Sequence, residues 1–483
     1  MEELDIAAVT KRSIHGVFAL VSRTFVIQLV TFATNFILTV FLSPTVFGVY
    51  FVVSAAIAFL GYFSDIGLAA ALIQKKEQIT DKELKTTFTI QQVLVITVVI
   101  IALLLSNIIG SFYNLNKAGI YLFDALAIAF FLSSLKTIPS IILERNLHFH
   151  KLVIPQIVET IFFSVTVVVL AVNGYGVTSF TIAVLARGIS GLIAMYIVAP
   201  WKIEFGFSRE IASKLLSFGV PFQLNSLLAL AKDDLFVIYL GKVLPLAQVG
   251  YIGFAQKWAF TPLRLIMDNI IRITFPSFSR LQHEKDVLSK AIEKSIFAAT
   301  FFIFPSLMGL VTLAPYFVNI IPKYSKWEPA IFALSFFSLN AALSSISTPL
   351  TNALNAIGKI KITLYLMVFW TIATWVITPF AILAYGFNGV AIASGIISFS
   401  VIIVIYLVKR YLKFNVLIIG YPFLATLIMG IFIYLLGPVV IKNLGTLLLM
   451  IVAGAVIYFL SIFIFAKKEL ISNLRVIREN LNK

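Results

Sequence analysis

The sequence predicts an all-α polytopic membrane protein, and two observations carry that prediction. Of its 483 residues, 60% are hydrophobic and only 12% are charged, a composition that soluble domains of this size do not have. The apolar residues also fall into runs of about 20 residues or more, each long enough to cross a bilayer as a helix. The net charge of +16 belongs mostly to the connecting loops, so it does not indicate nucleic acid as a partner.

We count fourteen apolar runs, and together they predict fourteen transmembrane helices. The first run continues far beyond the core of a signal peptide, so we expect it to be retained as a span. Small residues recur in most of the runs, as close packing of helices in lipid requires. In chain order the runs cover residues 13–42, 46–73, 86–109, 118–142, 152–172, 177–199, 213–240, 247–276, 293–315, 329–352, 362–384, 388–408, 416–436 and 444–466.

The distribution of lysine and arginine predicts the orientation of these helices. With the amino terminus inside, 25 of the 37 basic residues fall in cytoplasmic loops and tails, 5 in outer loops and 7 within spans or at their ends. Basic residues concentrate in the cytoplasmic loops of membrane proteins. A missed or extra span would reverse the bias in every later loop, and none reverses. We therefore expect both termini to be cytoplasmic.

The chain also repeats itself at an offset of about 200 to 210 residues. FLSPTVFGVY (41–50) is similar to YLGKVLPLAQVGYI (239–252), and NGYGVTSFTIAVLARGIS (173–190) is similar to AYGFNGVAIASGIIS (384–398). Because each repeat holds an even number of spans, both repeats have the same orientation. The predicted domains are a six-helix bundle over 1–205, a second over 206–412, two further helices over 413–466 and a basic cytoplasmic tail over 467–483.

The eighth run carries an unusual set of charges for a transmembrane helix. Lys257, Arg264, Asp268 and Arg272 follow each other at spacings of 7, 4 and 4, so on a helix they share a stripe of roughly 80°. A charge at mid-bilayer costs about 3 kcal/mol on insertion scales, so the stripe is expected to face a watered cavity. The alternative is a buried helix in which Asp268 neutralises both arginines. One acid cannot neutralise three bases, so we favour the cavity.

Two further spans contribute polar side chains to the predicted cavity. In the first run, Gln28 and Asn35 lie on one polar helical face, with Arg23 beside it. The seventh run, which begins the second repeat, carries Asn225. Because these runs occupy equivalent places in the two repeats, we expect them to face each other. The alternative is that their polar groups only make interhelical hydrogen bonds.

No cofactor or metal site is expected from the sequence. The chain has no cysteine, and its four histidines lie at or near predicted membrane edges. A GxxxxGK[ST] motif is absent, so no ATPase domain is predicted. The predicted outer loops are no longer than about 15 residues, too short for a soluble catalytic module.

Several stretches resemble the polysaccharide-exporter branch of the multidrug/oligosaccharidyl-lipid/polysaccharide (MOP) exporter superfamily, the Wzx-type flippases. These stretches are LSPTVFGVY (42–50), FSDIGLAAALIQKKE (63–77), ITDKELKTTF (79–88) and LLSFGVPF (215–222). The resemblance covers roughly residues 10 to 410. It implies a V-shaped pair of six-helix bundles around a cationic cavity, in a bacterial or archaeal cytoplasmic membrane. Many Wzx-type members have twelve spans, whereas the lipid II flippases of the same superfamily have fourteen, the last two of which form a hydrophobic groove for the lipid tail.

The resemblance further implies export of an undecaprenyl-pyrophosphate-linked oligosaccharide by alternating access, for surface polysaccharides such as the O-antigen of lipopolysaccharide. Membrane lipids and a glycan polymerase or export machinery are the candidate partners. Asp65, Glu159 and Asp268 are the candidates for coupling to H⁺ or Na⁺, although Asp65 more simply caps a helix break and Glu159 can pair with Arg187. The expected substrate contacts are Arg23, Gln28, Asn35, Asn225, Lys257, Arg264 and Arg272.

Three other functions agree with only part of the sequence. A cation-coupled multidrug exporter shares the superfamily fold, but its cavity should be dominated by acids rather than bases. A glycan polymerase or ligase needs a long outer loop, so we do not expect an enzyme. A lipid II flippase of the same superfamily remains an alternative.

Overall fold

The structure is a computed structural model, and it describes residues 27–62, 67–75, 77–217, 219, 230 and 233–467. All the regular structure in these residues is helical, without any strand, which confirms the predicted all-α class. The contacts divide the chain into two compact units, residues 1–250 and 251–483. The domain boundaries derived from the repeat stay a prediction.

The first unit is built from helices α1 to α10 and the start of α11. Within it, α8 packs against both α5 and α7, and α4 packs against α5. Small residues permit the close approach: Gly188 of α8 lies against Ala129 and Leu132 of α5. The helices are α1 (Ile27–Phe41), α2 (Pro44–Tyr62), α3 (Leu68–Gln74), α4 (Asp81–Phe112), α5 (Lys117–Ser134), α6 (Thr137–Arg145), α7 (Phe149–Val172), α8 (Val177–Val198), α9 (209–217) and α10 (Asp234–Val243).

The second unit contains most of α11 and all the later helices. In this unit α12 packs against α13 and α17, and α17 packs against α18. Tyr458 of α18 donates a hydrogen bond to the carbonyl oxygen of Phe301 in α12, at 2.7 Å. The helices are α11 (Leu246–Arg280), α12 (Lys285–Ile320), α13 (Ala330–Ala356), α14 (Ile360–Tyr385), α15 (Asn388–Ser398), α16 (Val401–Lys409), α17 (Gly420–Val440) and α18 (Leu444–Phe465).

The chain is a multi-pass membrane protein. Eleven spans in the described part of the chain are long and apolar enough to cross a membrane, and each coincides with one predicted run. Three predicted runs are not among them. The first and the seventh lie partly outside the described residues, and the eighth forms α11, whose charges lower its hydropathy. The predicted count of fourteen spans is therefore not confirmed.

Three of the predicted runs are interrupted in the structure. Run 46–73 is interrupted at Gly67, which has the left-handed φ of 70° at the start of α3. Run 118–142 breaks between α5 and α6. Run 388–408 breaks between α15 and α16, where the indole Nε1 of Trp370 donates a hydrogen bond to Ser400 Oγ at 2.8 Å. The sequence predicted a helix break next to Asp65, in agreement with the break at Gly67. The other two breaks were not predicted, because an apolar run has the same composition whether its helix is continuous or broken.

Two turns that are equivalent in the predicted repeat share one backbone conformation. Gly176, before α8, has φ 55° and ψ −124°. Gly386, after α14, has φ 58° and ψ −145°. Essentially only glycine adopts this region. The two residues are 210 positions apart (386 − 176), within the offset that the sequence predicts.

Candidate functional site

Helix α11 separates apolar from charged side chains. It is continuous from Leu246 to Arg280, although Pro262 and Pro276 lie within it. The buried Met267 packs in a cluster with residues of α12 and α13, and neighbouring apolar residues of α11 pack against the same cluster. This apolar face fixes α11 in the second unit, and it leaves the opposite face for the charges. The cluster consists of Met267, Ala299, Ile303, Leu307 and Ala341, with Phe260, Leu263, Ile266, Ile270 and Ile271 of α11 packed against it.

The four charged residues predicted on this helix are all exposed: Lys257, Arg264, Asp268 and Arg272. We call them the α11 stripe. At a rise of 1.5 Å per residue, the stripe extends over about 22 Å of helix. With three bases and one acid (3 − 1), its formal charge is +2. The predicted amphipathic arrangement is therefore present, whereas the role of these residues in binding stays a prediction.

Asp268 does not neutralise the arginines on either side of it. Among the residues that the structure describes, it makes no ion pair with Arg264 or Arg272, although both lie one helical turn away. The sequence alternative, in which these groups pair and the helix is buried, is thus not the arrangement found. Ion pairs between described residues are found at other positions, among them Lys75–Glu83, Lys85–Glu204, Lys136–Glu159, Arg187–Glu159 and Lys202–Glu204.

Helix α1 carries two of the predicted polar residues. Gln28 and Asn35 are both half-buried. Asn35 Nδ2 donates a hydrogen bond to the Thr31 carbonyl oxygen at 2.7 Å, so part of its hydrogen-bonding capacity is used within α1. Three other predicted residues, Arg23, Asp65 and Asn225, lie outside the described residues.

Glu159, a predicted ion-coupling residue, lies between two bases in the first unit. Its Oε2 is 3.5 Å from Arg187 Nε, which is the pair that the sequence suggested. Its Oε1 also contacts Lys136 Nζ, a residue that sequence reasoning did not assign to any site. A lysine inside an otherwise apolar run was the available signal, because such a residue needs a partner or water.

The fold places this protein in a structural class. It resembles the structure titled lipid II flippase MurJ, inward closed conformation, with a TM-score of 0.77 and 15% identity, covering 94% of this chain and 100% of that one. It also resembles an inward-facing multidrug resistance MATE family transporter of the MOP superfamily, with a TM-score of 0.62 and 18% identity, covering 79% and 94%. At these identities the likeness concerns the fold alone. The class is that of membrane proteins with the MOP transporter fold.

The chain belongs to the polysaccharide biosynthesis protein family, whose model matches residues 37–332, and this confirms the predicted resemblance. It is 27% identical to the lipopolysaccharide biosynthesis protein WzxC of Escherichia coli (strain K12), over 67% of this chain and 66% of that protein. It is 23% identical to the teichuronic acid biosynthesis protein TuaB of Bacillus subtilis (strain 168), over 62% of each. The chain thus spans about two thirds of the length of the curated relatives it matches.

Proposed function

We propose that this protein is a flippase that moves an undecaprenyl-pyrophosphate-linked oligosaccharide from the cytoplasmic to the outer leaflet for surface polysaccharide biosynthesis. The observation that carries the proposal is the α11 stripe, with exposed cations and an Asp268 that has no ion-pair partner among the described residues. The names of three relatives add support, since they refer to the biosynthesis or transport of a glycan: lipopolysaccharide, teichuronic acid and succinoglycan.

The chemistry of the proposed substrate matches the α11 stripe. A pyrophosphate is anionic and loses part of its hydration when it enters a protein, so fixed cations must replace the water. Arginine does this with a planar fork of N–H donors, and lysine does it with a compact charge. Because the bases are spread along the helix, the head group can pass from Lys257 toward Arg272 or in the reverse direction instead of being clamped at one point.

The proposal includes a transport cycle by alternating access in a bacterial or archaeal cytoplasmic membrane, with both termini cytoplasmic. The distribution of 25 basic residues in inner segments against 5 in outer loops supports that orientation. Gln28 and Asn35 on α1, together with Arg23 and Asn225, are the proposed sugar and head-group contacts. A glycan polymerase or export complex would take the product on the outer side.

Among the candidates for coupling to H⁺ or Na⁺, Asp268 fits best. Its carboxylate is exposed and has no ion-pair partner among the described residues, so it can bind a cation. Glu159 fits less well, because Lys136 and Arg187 already contact both of its oxygens. Asp268 lies one turn from two of the proposed substrate-binding arginines, so a cation bound there would change the charge of the α11 stripe.

The test is lipid flipping by the full chain in liposomes. The probe is an undecaprenyl-pyrophosphate-linked disaccharide with a fluorophore on the sugar, and external dithionite bleaches only the outer leaflet. We expect the protein to expose the inner pool to bleaching, whereas empty liposomes protect it. Parallel liposomes contain fluorescent lipid II or a cationic drug-like dye. Transport of the dye alone would contradict the proposal, and movement of lipid II alone would assign the protein to the other flippase branch.

A further inference from the structure

A second charged cluster lies outside the α11 stripe, in the first unit, and comes from three separate elements. Lys136 lies between α5 and α6, Glu159 is on α7, and Arg187 is on α8. We propose that Arg187 binds a phosphate group of a lipid, and that Glu159 acts as a positioning residue that orients its guanidinium. The identity of that lipid as the transported substrate rests on the proposed function.

The three side chains differ in exposure and in how closely they contact each other. The Lys136 and Glu159 side chains are only 11% and 13% exposed and are in close contact, so they form an internal neutral pair. The Arg187 side chain is 57% exposed, and its Nε lies 3.5 Å from Glu159 Oε2. No described residue forms a hydrogen bond with its Nη1 or Nη2. The cluster therefore carries one net positive charge (2 − 1), and that charge is on the accessible edge of Arg187.

The position of Arg187 along α8 limits the surroundings that the accessible edge of its guanidinium can face. Arg187 is ten residues from Val177 and eleven from Val198, which is about 15 Å from each end of α8 and near the middle of a bilayer core. A guanidinium that faced lipid at this depth would be costly. Polar or charged groups inside spans usually mark water-filled substrate or ion paths. An accessible arginine with two unused donor nitrogens is suited to bidentate binding of phosphate.

Gly191 explains how Glu159 reaches this position. It lies one helical turn after Arg187 on α8, and the Glu159 side chain packs directly on it. A Cβ on Gly191 would lie 2.5 Å from Glu159 Cδ and still closer to Oε1. The carboxylate therefore occupies the space that any other residue at 191 would fill. This contact fixes Glu159 beneath the Nε edge of Arg187, so the Nη edge stays available.

The contact between Lys136 and Glu159 argues against a purely structural role for Arg187. A buried carboxylate needs a cation, and Lys136 supplies one, with Nζ in contact with Oε1. If Arg187 were present only to neutralise Glu159, its charge would be redundant and its exposure unnecessary. A ligand with negative charge accounts for both features. Two sources share this chemistry: the pyrophosphate of an undecaprenyl carrier and the phosphate of an anionic phospholipid.

The test measures lipid binding to the purified full chain by native mass spectrometry. The probes are undecaprenyl pyrophosphate without sugar and, in a separate arm, phosphatidylglycerol. We expect Arg187→Gln to weaken binding of the first probe by about 10-fold or more, since it removes charge-assisted hydrogen bonds, with Arg187→Lys intermediate. Lys294→Ala is the control, because it removes an exposed cation from α12 instead.

Two further variants test the positioning role without removing Arg187. Gly191→Ala displaces the Glu159 carboxylate, and Gly309→Ala, with no atom within 4 Å of its added Cβ, is its control. The pair Lys136→Met with Glu159→Gln removes both internal charges together, so no buried ion is left unpaired. We expect both changes to weaken binding of undecaprenyl pyrophosphate less than Arg187→Gln does, with thermal stability of the double variant retained.

The outcomes separate this inference from the proposed function. Unchanged binding by Arg187→Gln in both arms, or a loss of thermal stability alone, would overturn the inference while leaving flipping intact. Arg187-dependent binding in a protein that flips no lipid would sustain the phosphate site and refute the flippase. Arg187-dependent binding of phosphatidylglycerol alone would keep the site and assign it to membrane lipid.

Discussion

Gly48 of α2 and Gly250 of α11 lie against each other in a reciprocal contact. A Cβ on Gly48 would lie 3.1 Å from the Gly250 nitrogen and 2.7 Å from the Leu246 carbonyl carbon. A Cβ on Gly250 would lie 3.2 Å from the Gly48 nitrogen and 2.7 Å from the Pro44 carbonyl carbon. The two glycines are 202 positions apart (250 − 48), within the offset of the predicted repeat. Only residues without a side chain allow the first turns of these helices to approach so closely.

We predict that Gly48→Ala and Gly250→Ala each lower the free energy of unfolding by about 1–3 kcal/mol, as overpacking does. The opposing atoms are backbone atoms, so they cannot rotate away as a flexible side chain would. Thermal unfolding of the purified protein measures the effect. Gly309→Ala in α12 is the matched control and should be neutral or slightly stabilising, because alanine favours the helix. Unchanged melting temperatures for both variants would contradict this packing.

The lengths of two transmembrane helices could be predicted from the composition of their apolar runs alone. Run 362–384 corresponds to α14 (Ile360–Tyr385), and run 444–466 corresponds to α18 (Leu444–Phe465). Both are continuous and apolar, and a bilayer requires about that length. The break at Phe399–Ser400 was not predicted; the side chain that donates a hydrogen bond there, Trp370, lies 30 positions earlier in the chain.

The candidate site also has one part that could be predicted from the sequence and one part that could not. The spacing of residues along one helix determines the direction in which their side chains point. Periodicity alone was therefore enough to place Arg264, Asp268 and Arg272 on one face. The contact of Lys136 with Glu159 joins two elements that are 23 positions apart. Periodicity within a helix contains no information about which neighbouring helix it meets, so this contact required the structure.

Arg145, at the end of α6, closes the carboxyl end of α3. Its Nη1 donates hydrogen bonds to the carbonyl oxygens of Leu72 at 2.9 Å and Lys75 at 2.5 Å, and its Nη2 contacts the Glu77 carbonyl oxygen. The last carbonyls of a helix lack partners within the helix, and a cation there also interacts favourably with the helix dipole. One side chain therefore holds a segment about 70 positions earlier in the chain.

We predict that Arg145→Gln releases this segment and destabilises it by about 1.5–3 kcal/mol, the range for hydrogen bonds to a charged group. Arg145→Lys should restore only part of the loss, since an ammonium cannot reach three carbonyls with a planar fork. Hydrogen exchange over residues 68–80 provides the measurement. Arg410→Gln, which removes a contact with Tyr406 on the same helix, is the control. Equal exchange in wild type and Arg145→Gln would show that the carbonyls do not need this cap.

Lys326, in the segment between α12 and α13, is expected to lose its proton near pH 8, below the usual range for a lysine. Burial, assisted by the positive charge of Lys323, lowers the pKa of Lys326 to about 8. The unfolded chain has a lysine pKa of about 10.4, so between pH 8 and 10.4 it binds more protons than the folded protein. The contribution of this group to stability therefore rises as pH increases through that window, and its penalty is fully present below pH 8.

The neutral amine is the reactive form, which gives a direct measurement. Acylation of Lys326, followed by peptide mass spectrometry, should reach half of its maximal rate near pH 8. The variant Lys326→Arg identifies the modified peptide, because it removes the amine and keeps a positive charge. A rate that continues to rise up to pH 10 would mean that the ammonium is fully solvated.

The orientation of the chain can be tested with single cysteines, since the sequence contains none. Gln78, between α3 and α4, and Ser325, between α12 and α13, are both exposed. We predict that an impermeant maleimide labels Ser325→Cys in intact cells and labels Gln78→Cys only after the membrane is opened. The two sites serve as controls for each other. Labelling of Gln78→Cys from outside would invert the proposed topology.

The proposed role of the α11 stripe predicts effects of different size on flipping for different variants. Arg264→Ala and Arg272→Ala should each reduce flipping of the labelled disaccharide lipid by about 10-fold or more, the equivalent of a lost charge-assisted hydrogen bond. Lys294→Ala, on the neighbouring helix, should leave the rate unchanged. Arg264→Lys should be milder than Arg264→Ala, because the positive charge remains and only the fork geometry is lost.

Asp268 decides between a binding role and a pairing role for these arginines. Since Asp268 forms no ion pair with Arg264 or Arg272 within the described part of the chain, removing an arginine leaves no newly unpaired carboxylate. We therefore expect Arg264→Ala to insert and accumulate like the wild type, as measured by membrane abundance and thermal stability. If the arginines served only to neutralise Asp268, Arg264→Ala would lower abundance, and Asp268→Asn would restore both abundance and flipping. A double variant that is stable and inserted yet inactive would instead place the loss in contacts with the anionic head group, because the formal charge of the α11 stripe would be +2 as in the wild type.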